Sequence, residues 1–316
     1  MSTVNVLVTG ADTSVGEWVL RRLLEDSRVD QVLAVTRTDA PSVVNGGSRL
    51  RSIKVDLRRS RRVWRLLFGP AREMDISVVV HTAMEQRADR EGNAVHAYNV
   101  TALRSIIELS ERHPTIKRLV IRSAGDVYQV QRDLPVLIGE DHLLNMLPGA
   151  PQWVRDRVEA DLTACARMGL SPLQIVVLRM AEVLAPGTGS QMFDYLQSPV
   201  CFRPAGYDPM INVLTLEDAA SAFQRAIHTQ DIGVFNIPGA DTLPLTVLIR
   251  NWGRLGMPMP GVALTPLYRW RRLLAGRAFR YGMNRRRFHY SGVLDGTRAE
   301  AVLGYIPCHP VDWPVS

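Results

Sequence analysis

"VLVTGADTSVGEWVLRRLL", residues 6–24, is the stretch on which the reading of the whole chain turns. An apolar run ends at Thr9, a turn opens at Gly10, and an amphipathic helical pattern follows over Glu17–Leu24. A strand, a glycine turn and a helix in that order offer free backbone N–H groups and the positive end of a helix dipole to an anion. Gly10 is placed for the tight turn and Gly16 for close packing of helix on strand. Midway between them stands Thr13, a branched side chain where a third glycine would let backbone approach a phosphate. Beside it, the Asp12 carboxylate is placed to cap the helix and compete for the same N–H groups.

The alternation continues downstream. Strands are expected at Val4–Thr9, Gln31–Thr36, Arg51–Val55, Ser77–His81, Arg118–Ile121 and Leu173–Leu178, with amphipathic segments such as Arg61–Phe68, Val95–Arg112 and Trp153–Arg167 between them. That rhythm implies right-handed βαβ units around a parallel sheet, an α/β fold of the doubly wound Rossmann type. Past Arg179 the pattern turns irregular, so a smaller C-terminal α/β lobe is expected. The expected division is 1–178 for the Rossmann domain, with 211–237 returning to it, and 179–210 plus 238–316 for the smaller lobe.

At 316 residues the chain can bury a large core, and 46% hydrophobic with 22% charged residues is ordinary for a soluble globular protein. It has no run of about 18 apolar residues, and its N-terminus passes straight into a strand, so neither a membrane span nor export is expected. Cys165, Cys201 and Cys308 are far apart and odd in number, which argues against a disulfide framework or a metal site and suits a reducing cytoplasm. Nearly all of the positive charge behind the net +7 is arginine, Lys54 and Lys117 being the only lysines.

Eight stretches in order resemble the extended short-chain dehydrogenase/reductase family, of the NAD-dependent epimerase/dehydratase type. "TGADTSVG" stands for TGxxGxxG, "VDLRR" for the pair that contacts adenine, and "VVVHTAM" for the strand ending beside the cofactor. "YNVTALRSIIELS" carries the helix-opening asparagine, and "IKRLVIRSAGDVYQ" resembles the strand that ends in Ser-Ser before Val-Tyr-Gly. "VVLRMAEVLAPG", "INVLTLEDAASAF" and "AEAVLGYIP" complete the series. The resemblance implies a dinucleotide cofactor held by Gly10, Thr13, Ser14, Val15 and Gly16, by Asp56 and Leu57, by Thr82, Ala83 and Met84, and by Asn99, Ser123 and Arg157. At the end of the second strand Thr36 takes the place of the acid that would bind ribose hydroxyls, and Arg37 follows it. An arginine there suits a 2′-phosphate, so NADP is expected over NAD if a dinucleotide binds.

The family's redox chemistry uses a tyrosine, a lysine four residues on and a hydroxyl that orients the substrate. In this chain those positions fall on Trp153, Arg157 and Ala124, with Asp161 where a glutamate usually follows. Indole has no proton to transfer near neutral pH, whereas an arginine can still hold a ribose. Neither lysine lies four residues after a tyrosine, so no Tyr-xxx-Lys exists anywhere in the chain. The expectation is therefore a degenerate member acting through ligand binding. The alternative is an enzyme with relocated acid/base groups, for which Ser123 and Tyr128 are the candidates and His81 a neighbour read as packed.

Residues 266–290, "PLYRWRRLLAGRAFRYGMNRRRFHY", hold eight arginines and no acid. They read as a solvated helix face with an aromatic stripe, as a grip on an anionic ligand, or as a peripheral contact with an anionic membrane through Trp270, Leu273, Leu274 and Phe279. Nucleic acid is not expected, since no reading element accompanies the charge. The remaining expected partners are a small-molecule or nucleotide ligand and, by analogy with the family, a second copy of the chain through Val95–Arg112 and Trp153–Arg167.

Overall fold

The computed structural model of the chain describes residues 3–38, 46–275 and 279–314. The first half runs β1 (Val4–Thr9), α1 (Ser14–Glu25), β2 (Val29–Thr36), β3 (Leu50–Lys54), α2 (Ser60–Leu66), β4 (Val78–His81), α3 (Asn93–His96), α4 (Ala102–Ser110) and β5 (Arg118–Ala124). There follow β6 (Leu137–Ile138), α5 (Gln152–Cys165), β7 (Gln174–Met180), β8 (Glu182–Val183), α6 (Gln191–Leu196), β9 (Val200–Pro204), β10 (Met210–Leu214), α7 (Leu216–His228) and β11 (Gly233–Ile237). The last elements used below are β12 (Asp241–Pro244), α8 (Leu245–Asn251), β13 (Leu255–Met259) and α9 (Gly261–Ala275).

Seven parallel strands make the central sheet, in the order β11-β7-β5-β4-β1-β2-β3. Helices cover both faces, which is why its inner strands are near-continuous apolar runs rather than alternating ones. α1 and α7 bury Val15, Val19, Leu20 and Leu23 with Ala219, Phe223 and Ala226 on one face. α2, α4 and α5 bury Leu66, Leu103, Ile106, Ile107 and Ala164 on the other. Each large aliphatic side chain buried in this way contributes about 1.5–3 kcal/mol. β1 lies between β2 and β4, so the chain reverses direction across the sheet there and a crevice opens at the carboxyl ends of β1 and β4.

Other strands form small sheets: β10 between β8 and β12, and β13 with β9. Their core is an aromatic cluster of Tyr195, Tyr268, Phe279, Tyr281 and Phe288. This corrects one sequence expectation. Phe279, read as a residue that would dip into a membrane, is only 3% exposed because it fills this core, whereas Trp270 and Leu273 on α9 are 61% and 74% exposed. The Leu274 side chain and residues 276–278 of the basic segment lie outside the described residues.

Candidate functional site

The glycine turn is shaped by packing at both ends. Gly10 has φ +70°, and a Cβ there would lie 2.7 Å from the Ala83 backbone. A Cβ on Gly16 would lie 2.1 Å from the Gly10 carbonyl oxygen. Thr13 turns its hydroxyl inward, where it accepts from the Gly16 N–H at 3.0 Å and donates to the Gly10 carbonyl at 2.7 Å. Thr13 is thus the cap of α1, and the expectation that Asp12 caps it is corrected. The Asp12 carboxylate instead accepts from the Arg37 and Thr38 N–H groups at 3.0 and 3.2 Å and from the Thr38 hydroxyl at 3.1 Å, pinning the end of β2. Ser14 and Val15 open α1, so their N–H groups have no carbonyl within the helix to bond.

A half-open pocket beside this turn is lined by Asp12, Thr13, Arg37, Met84, Glu85 and Tyr98 among others. Arg37 lies over the Tyr98 ring at 5.2 Å and pairs with buried Glu85 at 3.4 Å, and Arg90 reaches the same oxygen at 3.5 Å. The pocket wall carries the guanidiniums of Arg37, Arg87 and Arg90 against the carboxylates of Asp12 and Glu85. Asn99 does not face the pocket with its amide oxygen, which accepts the Glu85 N–H at 2.8 Å and so fixes the wall. Thr82 donates to the Thr9 carbonyl at 2.7 Å, and Leu57 is buried. Arg58 holds the Asp56 carboxyl below the usual carboxylate range by a paired hydrogen bond at 2.8 and 3.0 Å.

The end of the site where the resemblance places the chemistry is built on α5 and β5. Trp153, Arg157 and Asp161 recur every four residues, so they share one helix face, and all three are buried against the sheet. The Arg157 guanidinium stacks 3.7 Å above the centre of the Trp153 indole and pairs with Asp126. A desolvated stack of this kind is worth about 2 kcal/mol. The register sets Ser123 beside Arg179, which clasps Asp161 at 2.6 and 3.0 Å while Ser123 donates to the same carboxylate at 2.6 Å. Burial opposes the Arg179 charge, but the Asp161 bonds outweigh it and raise its pKa.

Tyr128 closes this network. Its hydroxyl donates to Asn236 at 2.7 Å and accepts from Arg179 at 2.8 Å, and burial pushes its pKa up to about 12. His81 bonds the Thr9 hydroxyl through Nδ1 at 2.8 Å, and burial pushes its pKa down to about 4, so the ring is neutral. Ala124 puts a methyl group where the resemblance implies a hydroxyl.

A cleft opens between the ends of β5 and β7 and the small sheets, lined by Arg122, Ala124, Asp126, Arg157, Met180 and Arg287 among others. Between this cleft and the cradle runs the segment 186–189. The Ser14 hydroxyl donates to the Pro186 carbonyl at 2.7 Å, and a Cβ on Gly187 would lie 2.7 Å from that hydroxyl oxygen. A Cβ on Gly189 would lie 3.1 Å from the Gln86 backbone and 3.2 Å from the Trp153 ring. The half-open pocket is thus compatible with the adenosine end of a dinucleotide. Segment 186–189 packs on Ser14, Gln86 and Trp153 between this pocket and the cleft.

Several of these residues had no assigned role in the sequence reading: Arg122, Asp126, Arg179, Glu85 and Asn236. Arg122 and Arg179 did carry a signal, a charge inside or ending an apolar strand, which must find a partner when buried. The expectation of no ligand cluster also needs amending. Asp218, Cys308 and His309 converge, and the His309 ring lies 2.6 Å from buried Asp218, which also accepts both backbone N–H groups of the pair. These bonds clasp the C-terminal segment onto α7.

Comparison with known proteins agrees with this architecture. The family model for the NAD dependent epimerase/dehydratase family matches residues 6–196. An uncharacterized protein of Mycobacterium tuberculosis is 28% identical over 311 residues, covering 96% of this chain and 80% of its own. The structure of UDP-glucose 4-epimerase from Thermotoga maritima with UDP-glucose superposes with a TM-score of 0.73 at 17% identity, over 97% of this chain and 94% of that one. That of dTDP-glucose 4,6-dehydratase from Bacillus anthracis in complex with NAD gives 0.70 at 16%, over 97% and 92%. Among the described residues no helix is long and apolar enough to cross a membrane.

Proposed function

Because the chain belongs to the NAD dependent epimerase/dehydratase family, we propose that it keeps the family's binding sites while lacking its proton relay: a nucleotide in the cradle, a small molecule in the cleft, and no turnover of the usual kind. The observation that carries this reading is the Trp153–Arg157–Asp126 assembly. At the positions the family uses for a proton donor and its lysine, this chain has a ring that cannot ionise and a guanidinium stacked on it and tied to a carboxylate. The cradle residues proposed to hold the nucleotide are Gly10, Ser14, Val15 and Arg37, with Asp56 and Leu57 toward the base. The net positive wall of Arg37, Arg90 and Glu85 favours a 2′-phosphate, hence NADP over NAD.

The alternative enzyme reading needs Tyr128 or Ser123 to exchange protons. Both hydroxyls are engaged in the buried network, and the Tyr128 pKa has moved away from neutrality. The test is turnover by the purified chain with NAD(H) or NADP(H) and panels of nucleotide sugars, carbonyls and alcohols. No cofactor oxidation, reduction or sugar conversion is expected. Robust turnover that survives Trp153→Phe and dies with Tyr128→Phe would overturn the reading and assign the acid/base to Tyr128.

A second reading concerns α9, where Val262, Trp270 and Leu273 are exposed beside the exposed Arg269. Apolar and cationic side chains together suit an anionic membrane surface. Cosedimentation with acidic vesicles that falls with added salt is the expected outcome, and equal sedimentation with neutral vesicles would end this reading.

A further inference from the structure

Arg122 sits on β5 with its guanidinium buried, and its one hydrogen bond runs from Nη2 to the Thr188 carbonyl at 3.0 Å. Among the described residues its Nε and Nη1 have no partner, and neither has Oδ1 of Asp126. Leaving buried donors of a charged group idle is costly, because each has lost its water without gaining a replacement. Burial pushes the Arg122 pKa down to about 10, with the neighbouring Arg157 charge adding to the effect, so the group is strained electrostatically yet still charged near neutral pH. The nearby carboxylates are committed elsewhere: Asp126 to Arg157, and Glu182 to Arg287 at 3.6 Å.

All five of these charged groups line the same cleft, so three guanidiniums face two carboxylates. The one excess positive charge matches a single carboxylate on the part of a ligand that enters the cleft. Met180, Met192 and Leu294 supply apolar wall, which strengthens any ion pair formed inside. An anionic oxygen would satisfy the two idle donors, and a hydroxyl would satisfy the idle acceptor on Asp126.

We propose that the cleft takes a sugar acid, its carboxylate received by Arg122 and a neighbouring hydroxyl by Asp126. The inference rests on the reading of the cleft as a small-molecule site and adds the chemistry of what enters it. A matched pair of probes tests it: UDP-glucuronate and UDP-glucose, which differ in whether a carboxylate or a hydroxymethyl group sits on the hexose. Calorimetric titration of the full chain should find UDP-glucuronate bound about tenfold or more tightly, the effect of one charge-assisted hydrogen bond. Arg122→Met should abolish that preference, leave UDP-glucose affinity unchanged, and give an apo melting temperature no lower than that of the parent, since an unneutralised buried charge has been removed. If the methionine variant fails to fold, Arg122→Lys, which keeps the charge without the fork of donors, should shrink the preference. Equal affinity for the two sugars in the parent would overturn the sugar-acid inference and leave the small-molecule reading standing. Binding of neither would overturn both.

Discussion

The two ends of the site treat charge in opposite ways. At the cradle, Arg37 and Arg90 are about half exposed and share one carboxylate at 3.4 and 3.5 Å, an arrangement that water screens and a ligand can reorganise. At the reactive end, Arg157, Arg179, Asp126 and Asp161 are almost wholly removed from water and paired with one another. The difference teaches which groups a ligand can engage. Exposed, loosely paired groups remain open to one, whereas Arg179 and Asp161, buried and bonded to each other, belong to the core.

Stability should separate the two ends most strongly. Asp161→Asn leaves Arg179 with a buried, uncompensated charge and should cost about 3–5 kcal/mol in denaturant unfolding, while Asp126→Asn, at a site slightly more open, should cost somewhat less. Arg37→Ala should stay within about 0.5–1 kcal/mol. Similar costs at both ends would erase the contrast.

A pH titration gives the next largest effect. His81 is neutral when folded, with its pKa near 4, and takes up a proton near 6.5 when unfolded. Because the folded value is the lower one, its contribution is complete above pH 6.5 and is lost as pH falls toward 4, by about 3 kcal/mol over the window. His81→Gln should flatten that part of the stability profile, and an unchanged slope would show that other groups control it.

Restored chemistry is a smaller and more conditional expectation. The triple change Trp153→Tyr, Arg157→Lys and Ala124→Ser reinstates the groups of a proton relay, which typically contributes about 10²–10⁴-fold. Any gain should come with lowered stability, because the indole–guanidinium stack and its tie to Asp126 are removed together. Turnover already present in the parent and unchanged in the triple variant would contradict the role given to these positions. Smallest is the effect of Arg37→Ala on ligand choice, a loss of preference for NADP(H) over NAD(H) of about one ion pair's worth, or roughly fivefold.

Much of the fold was legible because periodicity carries it. Val4–Thr9 was expected and observed as a strand with the same ends, and the other five expected strands were found with one or both ends shifted by one to three residues. Gly10 and Gly16 could be read because the backbone geometry they serve admits no other residue. The pairing of charges could not be read, because it depends on which strands become neighbours. Ser123 meets Arg179 only through the β5–β7 register, and Asp126 meets Arg157 across 31 positions of sequence. Asp12 and Phe279 were misplaced for the same reason. Each side chain had a plausible local role, and a tertiary partner, the end of β2 or the aromatic cluster, claimed it instead.

On the proposed function, the contact of segment 186–189 with Ser14, Gln86 and Trp153 divides the nucleotide cradle from the Trp153–Arg157 end. Calorimetric titration of the purified chain with ADP-ribose and with NAD⁺ reads that boundary directly, since the two ligands share the adenosine diphosphate end and differ in the nicotinamide. The expected result is equal affinity within about threefold, or about 0.7 kcal/mol, on the proposal that segment 186–189 leaves the nicotinamide end unheld. NAD⁺ binding tenfold or more tightly than ADP-ribose would show that the nicotinamide is held, and would contradict a cradle severed from its reactive end.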